Sequence, residues 1–341
     1  MASAPLALVD RGGFPESLHR GAVAVVDPEG RLLYRAGDPD LPCFLRSAAK
    51  PLQAIPLVES GAADRLALTD AELAVVCASH AGRPEHLEAV RSILRKADLD
   101  ESALRCGAHP PLDPREAASL VRQGREPLPL HNNCSGKHAG MLATCRVRGW
   151  PVDSYLEPDH PLQREIAGLV ADACGAPPGA MGRAVDGCGV PTFHATVRQL
   201  ARAYAVLARP SALGGARGEA ACRLVDAMRA HPELVAGAGR LVTELLRKCG
   251  DRLVCKSGAE GVLGIGLLRE GWGVGIKVED GGPRALGAVA LAVLGQLGVV
   301  TPEEAEELGE HARPVVRNHS GAAVGAIRAV VGLEELDEAG A

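Results

Sequence analysis

The sequence predicts an α+β fold, with an antiparallel sheet built from both ends of the chain and a helical domain inserted between them. Short stretches rich in Val, Leu and Ile occur at residues 21–36 and again after residue 250. Between them, apolar residues recur at three- and four-residue spacing, which is typical of helices. We therefore expect a sheet domain of residues 1–45 and 235–341 and a mainly helical domain of residues 46–234. A cleft between such domains is the expected place for an active site.

The N-terminal part predicts a β-hairpin followed by a helix. Val and Leu alternate on both sides of the turn Pro28-Glu29-Gly30. Helical periodicity then runs from Ser47 to Glu59. Pro51 is compatible with this helix because it falls in the first turn, where a missing N–H is tolerated.

The middle of the chain predicts six helices with recognisable ends. Thr69-Asp70 is a typical helix start, and Gly175 is a typical residue after a helix end. The predicted helices are 69–77, 84–97, 137–147, 160–174, 192–207 and 216–230.

After residue 250 the pattern predicts strands separated by glycine-containing turns, then two helices and a short final strand. The predicted strands are 252–256, 262–269 and 272–279, the helices 283–298 and 302–311, and the last strand lies within 315–332.

Composition limits the classes of function. The 341 residues are 47% hydrophobic and only 2% aromatic, with a formal net charge of −5. A globular protein is expected, and nucleic acid is excluded as a partner. The N-terminus lacks the features of a signal peptide, and no apolar run is long enough to cross a membrane. We therefore expect a cytoplasmic protein whose ten cysteines are mostly small buried residues rather than a disulfide framework.

The basic residues are strongly biased towards arginine, with six lysines among 37 Lys and Arg. Arginine stays protonated in proteins, whereas lysine can release its proton. A lysine in a loop or at a helix start is therefore a candidate for amine chemistry, although Lys96 has the pattern of ordinary helix surface.

Two motifs favour a serine nucleophile. Ser47 and Lys50 are three residues apart at a helix start, so their side chains share one face and a neutral lysine can take the serine proton. Lys256-Ser257-Gly258 ends a predicted strand. Either motif alone also fits a capped helix or a strand-to-turn junction. Together they match the pattern of serine β-lactamases and penicilloyl-type acyltransferases. Ser79 follows an apolar helix and is a candidate proton relay, although the same segment also reads as a helix end.

Two polar loops contain isolated cysteines. Cys134 lies in a loop that leads into a helix and contains His138, and Cys188 lies between two glycines. These residues are candidate metal ligands. Cys134 is alternatively the nucleophile of a thiol amidohydrolase, with His138 or His80 as its base.

Five segments together resemble the rhizobial-type, or class 3, L-asparaginases, and the resemblance extends over nearly the whole chain. The segment His131–Gly140 is the most specific of them. The five segments are Arg46–Pro51, Cys77–Gly82, His131–Gly140, Asp186–Pro191 and Lys256–Glu260.

This resemblance implies a fold similar to serine β-lactamases and serine glutaminases, and a homodimer. It implies hydrolysis of L-asparagine to L-aspartate and ammonia through a seryl ester. The family's catalytic residues match Ser47, Lys50, Ser79 and Lys256. Its zinc site, held by two cysteines and a lysine, matches Cys134, Lys137 and Cys188.

The zwitterionic substrate needs groups of both charges. Its α-carboxylate requires a cation and its α-amine a carboxylate, for which Arg46, His138 and Asp186 are the candidates. Two other classes of function stay open, a β-lactam-recognising serine acyltransferase and a zinc-stabilised module without catalysis. The sequence does not decide between asparagine and glutamine.

Overall fold

The computed structural model describes residues 3–177 and 179–336. The described residues form two compact units. Unit 1 draws on Met1–Ala48, Ala195–Arg209 and Lys248–Ala341, and unit 2 on Ala49–His194 and Pro210–Arg247. Residues 195–209, which the predicted boundaries placed with the helices, therefore belong to the unit that contains the large sheet. The ends of the predicted sheet domain, residues 1–2 and 337–341, lie outside the described residues.

Strands come from both ends of the chain, with a short group in the middle. The strands of the described residues are β1 (Ala4–Arg11), β2 (Phe14–Val26), β3 (Leu32–Ala36), β4 (Pro42–Phe44), β5 (Arg183–Val185), β6 (Pro191–Thr196), β7 (Leu253–Gly258), β8 (Val262–Leu267), β9 (Trp272–Val278), β10 (Val315–Arg317), β11 (Ala323–Ala329) and β12 (Glu334–Glu335).

Unit 1 contains a nine-stranded antiparallel sheet. Its main path is β10-β11-β1-β2-β9-β8-β7, with β3 paired to β2 and β12 paired to β3. The predicted mixed α+β architecture and the sheet built from both termini are confirmed. The predicted hairpin is also present as β2 and β3, closed by a hydrogen bond from Gly30 N to Asp27 O of 3.0 Å. The sequence pattern did not predict β1 or the first half of β2, because their residues alternate less clearly.

Helices occupy most of unit 2 and flank the sheet in unit 1. They are α1 (Lys50–Glu59), α2 (Ala62–Arg65), α3 (Asp70–Val76), α4 (Pro84–Lys96), α5 (Pro114–Arg122), α6 (Ser135–Arg148), α7 (Pro161–Cys174), α8 (Val197–Ala208), α9 (Gly215–Ala230), α10 (Pro232–Val235), α11 (Leu241–Cys249), α12 (Leu286–Gln296), α13 (Pro302–Glu307) and α14 (Gly309–Ala312). Among the described residues, no helix is both long and apolar enough to cross a membrane.

Helix boundaries follow local capping. Thr69 caps α3 in a capping box with Glu72, as expected from a Thr-Asp start. The predicted helix 192–207 starts later than expected, at Val197, because Pro191–Thr196 forms β6. Thr196 then caps α8 by accepting a hydrogen bond from Gln199 N. The start of this helix is thus decided by the cap and not by the apolar pattern, which runs through both elements.

Glycines on β8 and β9 allow α8 to lie directly on the sheet. A Cβ at Gly273 would come within 1.8 Å of Ala201 O, and one at Gly275 within 2.4 Å of Val197 O. No side chain fits between such close backbones, so only glycine is compatible with this packing. This close packing places α8 against β8 and β9, next to β7, the strand that carries the Lys256 motif.

Candidate active site

Ser47 lies in unit 1, in a 3-10 helix of Arg46–Ala49 that runs directly into α1. Its side chain is partly exposed. Arg46, directly before it, has a left-handed φ of 49°. This conformation is strained for a residue with a Cβ, and such residues concentrate at functional sites. The local backbone thus supports the choice of Ser47 as a reactive residue.

The end of β7 packs against the Ser47 segment. A Cβ on Gly258 would lie 2.8 Å from Leu45 O and 3.4 Å from Ala48 N. The glycine of the Lys-Ser-Gly motif therefore allows a backbone-to-backbone contact. The fold brings the segments of the two motifs together within unit 1, although they are far apart in the sequence.

Tyr204 of α8 links the same two segments, and the sequence analysis missed it. Its hydroxyl donates a 2.8 Å hydrogen bond to Ala48 O. Its ring lies over Gly264, where a Cβ would come within 2.0 Å of Cε2. Gly264 pairs with Lys256 across β7 and β8. The only available sequence signal was a tyrosine inside an Ala- and Leu-rich helix of a chain with three tyrosines.

Lys256 is fully buried near the end of β7. Its Nζ donates a 2.7 Å hydrogen bond to Ser257 O. Because burial of an ammonium group is costly without acceptors, this contact helps to keep the amine inside the protein.

Lys50 is fully buried in unit 2, where its amine is surrounded by acceptors. Its Nζ lies 2.5 Å from Ala78 O, 3.1 Å from Ser79 Oγ and 3.5 Å from Asn133 O. Carbonyl oxygens only accept, whereas the Ser79 hydroxyl can accept or donate. The Ser79 hydroxyl is therefore the one of these three groups that can exchange a proton with the amine.

Three predicted metal ligands meet in unit 2. Cys134, Lys137 and Cys188 are each at least 94% buried. Lys137 Nζ donates to Cys188 Sγ at 3.1 Å. The neighbouring Cys134 thiol and the charge of Lys137 lower the pKa of Cys188 to about 4, against the effect of burial. The Cys134 Sγ also lies 3.2 Å from Asn133 Oδ1.

The interaction of the Cys134 thiol with Cys188, together with burial, raises the pKa of Cys134 to about 12. Burial alone lowers the pKa of Lys137, but the two cysteines outweigh it and the net shift is upward.

Asn132 holds the Cys134 loop in place. Its Oδ1 accepts from Cys134 N at 2.8 Å, and its Nδ2 donates to Cys106 O at 2.8 Å. Cys106 is a third buried thiol of this region, which the sequence analysis missed. Burial, and to a lesser extent the neighbouring Cys134 and Cys188, raise its pKa to about 12.

This donor set fits a zinc ion. Thiolate sulfur is a preferred zinc ligand, and a lysine amine can bind only after it loses its proton. A bound ion would require both thiols and the amine to be deprotonated. Within the described residues, no group of three or more His, Cys, Asp or Glu forms a metal site, so any site here depends on the lysine.

Of the three predicted substrate-binding residues, His138 has the clearest structural evidence for a binding role. It is fully buried, and its Nδ1 lies 2.7 Å from the Tyr155 hydroxyl. Its Nε2 is buried without a hydrogen-bond partner. Burial and the charge of Lys137 hold the pKa of His138 well below its usual value. Since orphaned buried polar atoms are rare, this nitrogen is available to a ligand.

Asp186 and Arg46 occupy different units. Asp186 lies in a tight turn closed by a bond from Gly189 N to Asp186 O of 2.9 Å, and its charge contributes to the upward shift in the pKa of Lys137. Asp186 therefore accompanies the cysteine cluster in unit 2, whereas Arg46 adjoins Ser47 in unit 1.

A cavity of about 330 Å³ lies in unit 2, beside the turn that contains Asp186 and Cys188. None of the predicted site residues lines it. Its lining residues are Leu156, Glu157, Pro158, Arg183, Ala184, Val185, Gly189 and Pro191.

Comparison with protein families decides the relationship of the chain. The family model of L-asparaginase II matches residues 7–329. The chain belongs to the L-asparaginase II family. This confirms the family resemblance stated from the sequence and the assignment to a family of asparaginase-type amidohydrolases. No curated protein matches the chain.

Solved structures show weaker similarities. The native form of Mglu matches at 16% identity over 83% of this chain and 65% of that chain, with a TM-score of 0.43. Its glutamate form matches at 18% identity over 82% of this chain and 61% of that chain, with a TM-score of 0.37. A Bacillus glutaminase matches at 13% identity over 82% of this chain and 91% of that chain, with a TM-score of 0.38. The chain thus covers less than two thirds of both Mglu chains.

Proposed function

We propose that the protein is an L-asparaginase that hydrolyses L-asparagine to L-aspartate and ammonia through a seryl ester on Ser47. Family membership supports the reaction. The observation that carries the mechanism is the buried Lys50 amine, 3.1 Å from the Ser79 hydroxyl. A buried amine beside a hydroxyl is the arrangement that a lysine base needs to move protons without water.

In the proposed cycle, neutral Lys50 takes the proton of Ser47 as Ser47 Oγ attacks the side-chain amide carbon. Lys50, relayed by Ser79, then protonates the leaving nitrogen, and ammonia departs. Water adds to the ester, its proton returns to Lys50 and then to Ser47, and aspartate is released.

We assign supporting roles to the remaining predicted residues. Lys256 supplies positive charge near the segment of Ser47. Arg46 binds the α-carboxylate of the substrate, Asp186 binds its α-amine, and His138 Nε2 makes a further polar contact. A serine β-lactamase/glutaminase-like fold, a homodimer and a cytoplasmic location are part of the same proposal.

Cys134, Lys137 and Cys188 are the residues that would hold zinc. When bound, zinc would keep both thiols deprotonated and join the two loops that carry them. The serine mechanism does not require the ion as a source of the nucleophile.

The Cys134 thiol amidohydrolase is the alternative proposal. We place it second because no buried His ring is paired with Cys134, whose Sγ lies instead 3.2 Å from Asn133 Oδ1 among the described residues. No observation on the described residues favours a β-lactam-recognising acyltransferase over the asparaginase.

The decisive experiment measures ammonia released by the purified protein from asparagine and from glutamine. Ser47→Ala should abolish release from asparagine while the thermal unfolding midpoint is kept, and Cys134→Ala is the paired variant for the thiol alternative. Acid-quenched protein should carry the mass of an aspartyl ester on the peptide that contains Ser47. An active Ser47→Ala protein together with an inactive Cys134→Ala protein would exclude the serine mechanism.

A further inference from the structure

Helices α3 and α6 pack unusually closely at the ends that lead to the Lys50 amine. A Cβ on Gly136 would lie 2.1 Å from Val75 O, and one on Gly140 would lie 2.6 Å from Val76 Cγ1. Two glycines four residues apart therefore let the start of α6 touch the end of α3. The segments just outside this contact are Ala78–His80 and Asn132–Ser135, and both are in unit 2.

His80 joins these two segments. It is fully buried. Its backbone N–H donates to Asn133 O at 3.1 Å, and its ring Nε2 lies 2.8 Å from Ser135 Oγ. The Ser135 hydroxyl in turn donates to Leu130 O at 2.9 Å. One residue thus connects the end of α3 to the start of α6 through both its backbone and its side chain.

The hydrogen bonds define the protonation of the ring. Gly82 N donates to His80 Nδ1 at 3.2 Å, so Nδ1 accepts and the proton resides on Nε2. Nε2–H then donates to Ser135 Oγ, whose own proton is used by Leu130 O. Burial, the neighbouring His86 and Lys50 hold the pKa of His80 well below its usual value, so the ring stays neutral.

The same two segments supply the oxygens around Lys50. Ala78 O and Ser79 Oγ come from one segment, and Asn133 O comes from the other. Asn133 O also accepts the backbone N–H of His80. The separation of the segments therefore sets the positions of the acceptors that surround the amine.

We propose that His80 is a positioning residue of the reaction, a neutral Nε2–H imidazole that fixes the distance between the Ala78–Ser79 and Asn133–Ser135 segments and so places the Lys50 amine. This inference rests on the proposed asparaginase function. It assigns His80 no proton transfer, and it accounts for a buried histidine that the proposed cycle leaves unused.

The test compares His80→Leu with His80→Gln. Leucine removes both ring contacts, whereas the glutamine amide reaches the position of Nε2 and can donate to Ser135. We expect His80→Leu to lower kcat about 10- to 100-fold with KM within about threefold, because misplacement by about 1 Å costs up to ~10²-fold. His80→Gln should recover kcat to within about fivefold of the native protein.

His160→Leu is the matched control. His160 is also buried, accepts a backbone N–H at Nδ1 from the residue two positions on, at 3.2 Å, and binds a carbonyl, Pro151 O, through Nε2 at 2.9 Å. We expect this control to lose thermal stability but to keep kcat. Equal kcat in His80→Leu and the control would overturn the inference. A folded but inactive His80→Gln protein would indicate acid–base chemistry at His80 and would also overturn it.

Amide hydrogen exchange separates this inference from the proposed function. His80→Leu should lose protection at residues 78–82 and 131–136, and His80→Gln should retain it. If the native protein releases no ammonia from either amide, the proposed function fails. The exchange pattern then still decides whether His80 holds the two segments together, and unchanged protection in His80→Leu would refute that role.

Discussion

Replacement of Gly258 by alanine tests whether contact between the two serine-site motifs matters. The added Cβ would lie 2.8 Å from Leu45 O, well inside the normal carbon–oxygen separation. Gly258 does not have a left-handed φ, so alanine meets a steric conflict and not a conformational one. Relief requires the end of β7 or the Ser47 segment to move by roughly half an ångström.

This movement should affect both the stability of the protein and its rate of catalysis. An overpacked site costs about 1–3 kcal/mol of unfolding free energy. If a misplacement of 1 Å costs up to ~10²-fold in rate, half of that costs about tenfold, or ~1.4 kcal/mol in the barrier. We therefore expect Gly258→Ala to lower kcat for asparagine about tenfold and to reduce the thermal midpoint.

Gly168→Ala provides the control for glycine replacement. Gly168 is exposed within α7, and a Cβ there meets nothing within 4 Å. Alanine should stabilise this helix by roughly 0.5–1 kcal/mol and leave kcat unchanged. Steady-state ammonia release and chemical denaturation measure both quantities. Native kcat and stability in Gly258→Ala would refute the claim that the contact positions Ser47.

Three further predictions concern single contacts. Tyr204→Phe removes only the hydroxyl that binds Ala48 O, so kcat should fall several-fold with KM unchanged; an unaltered kcat would remove Tyr204 from the site. Glu304 has a pKa lowered to about 2, chiefly by the hydrogen bond from Arg252. Ionised Glu304 therefore adds about 1–2 kcal/mol to the free energy of unfolding, after a discount for solvent screening. This stabilisation is complete above the pKa of a glutamate in the unfolded chain, ~4.3, and is lost as the pH falls through 2. Denaturation at pH 7 and pH 3 should therefore show native protein and Glu304→Gln converging in acid, and a constant difference would contradict this. Protein purified without chelator should contain one zinc per chain, which Cys188→Ala loses and Cys106→Ala retains; equal metal content in both variants would reject the proposed ligands.

The sequence predicted most of the fold because its patterns are local. The apolar spacing of α4, α6 and α7 and the alternating residues of β7–β9 gave the elements to within a few residues. The missed elements lacked such patterns. The strand β6 reads as part of the following helix, and its identity depends on pairing with β5. Pairing partners are properties of the tertiary structure and leave little trace in a single sequence.

The candidate site was predictable where chemistry requires a particular residue type. Lysine scarcity indicated that some lysines are special, and three of the six, Lys50, Lys137 and Lys256, are almost completely buried. The residues that hold the site were not predictable. Tyr204 and Asn132 act through contacts with distant backbone groups. A tyrosine or an asparagine has many ordinary roles, so residue type alone does not reveal such contacts.

Backbone conformation provides evidence about the serine site that the spacing of the motifs does not provide. Among the described residues, four other than glycine have a left-handed φ, and two of them adjoin the serine motifs: Arg46 precedes Ser47, and Glu260 follows the Lys-Ser-Gly motif. Each such residue costs about 1–2 kcal/mol, so it persists only where its surroundings hold it. At Glu260 the carbonyl accepts a 2.5 Å hydrogen bond from Lys277 Nζ. The tight hairpin loop between β7 and β8 explains the conformation of Glu260, since Gly258 pairs with Val262 on either side of it. Arg46 begins the 3-10 helix that follows β4 and lies outside any hairpin loop. Its conformation is therefore the one that argues for a prearranged geometry at Ser47.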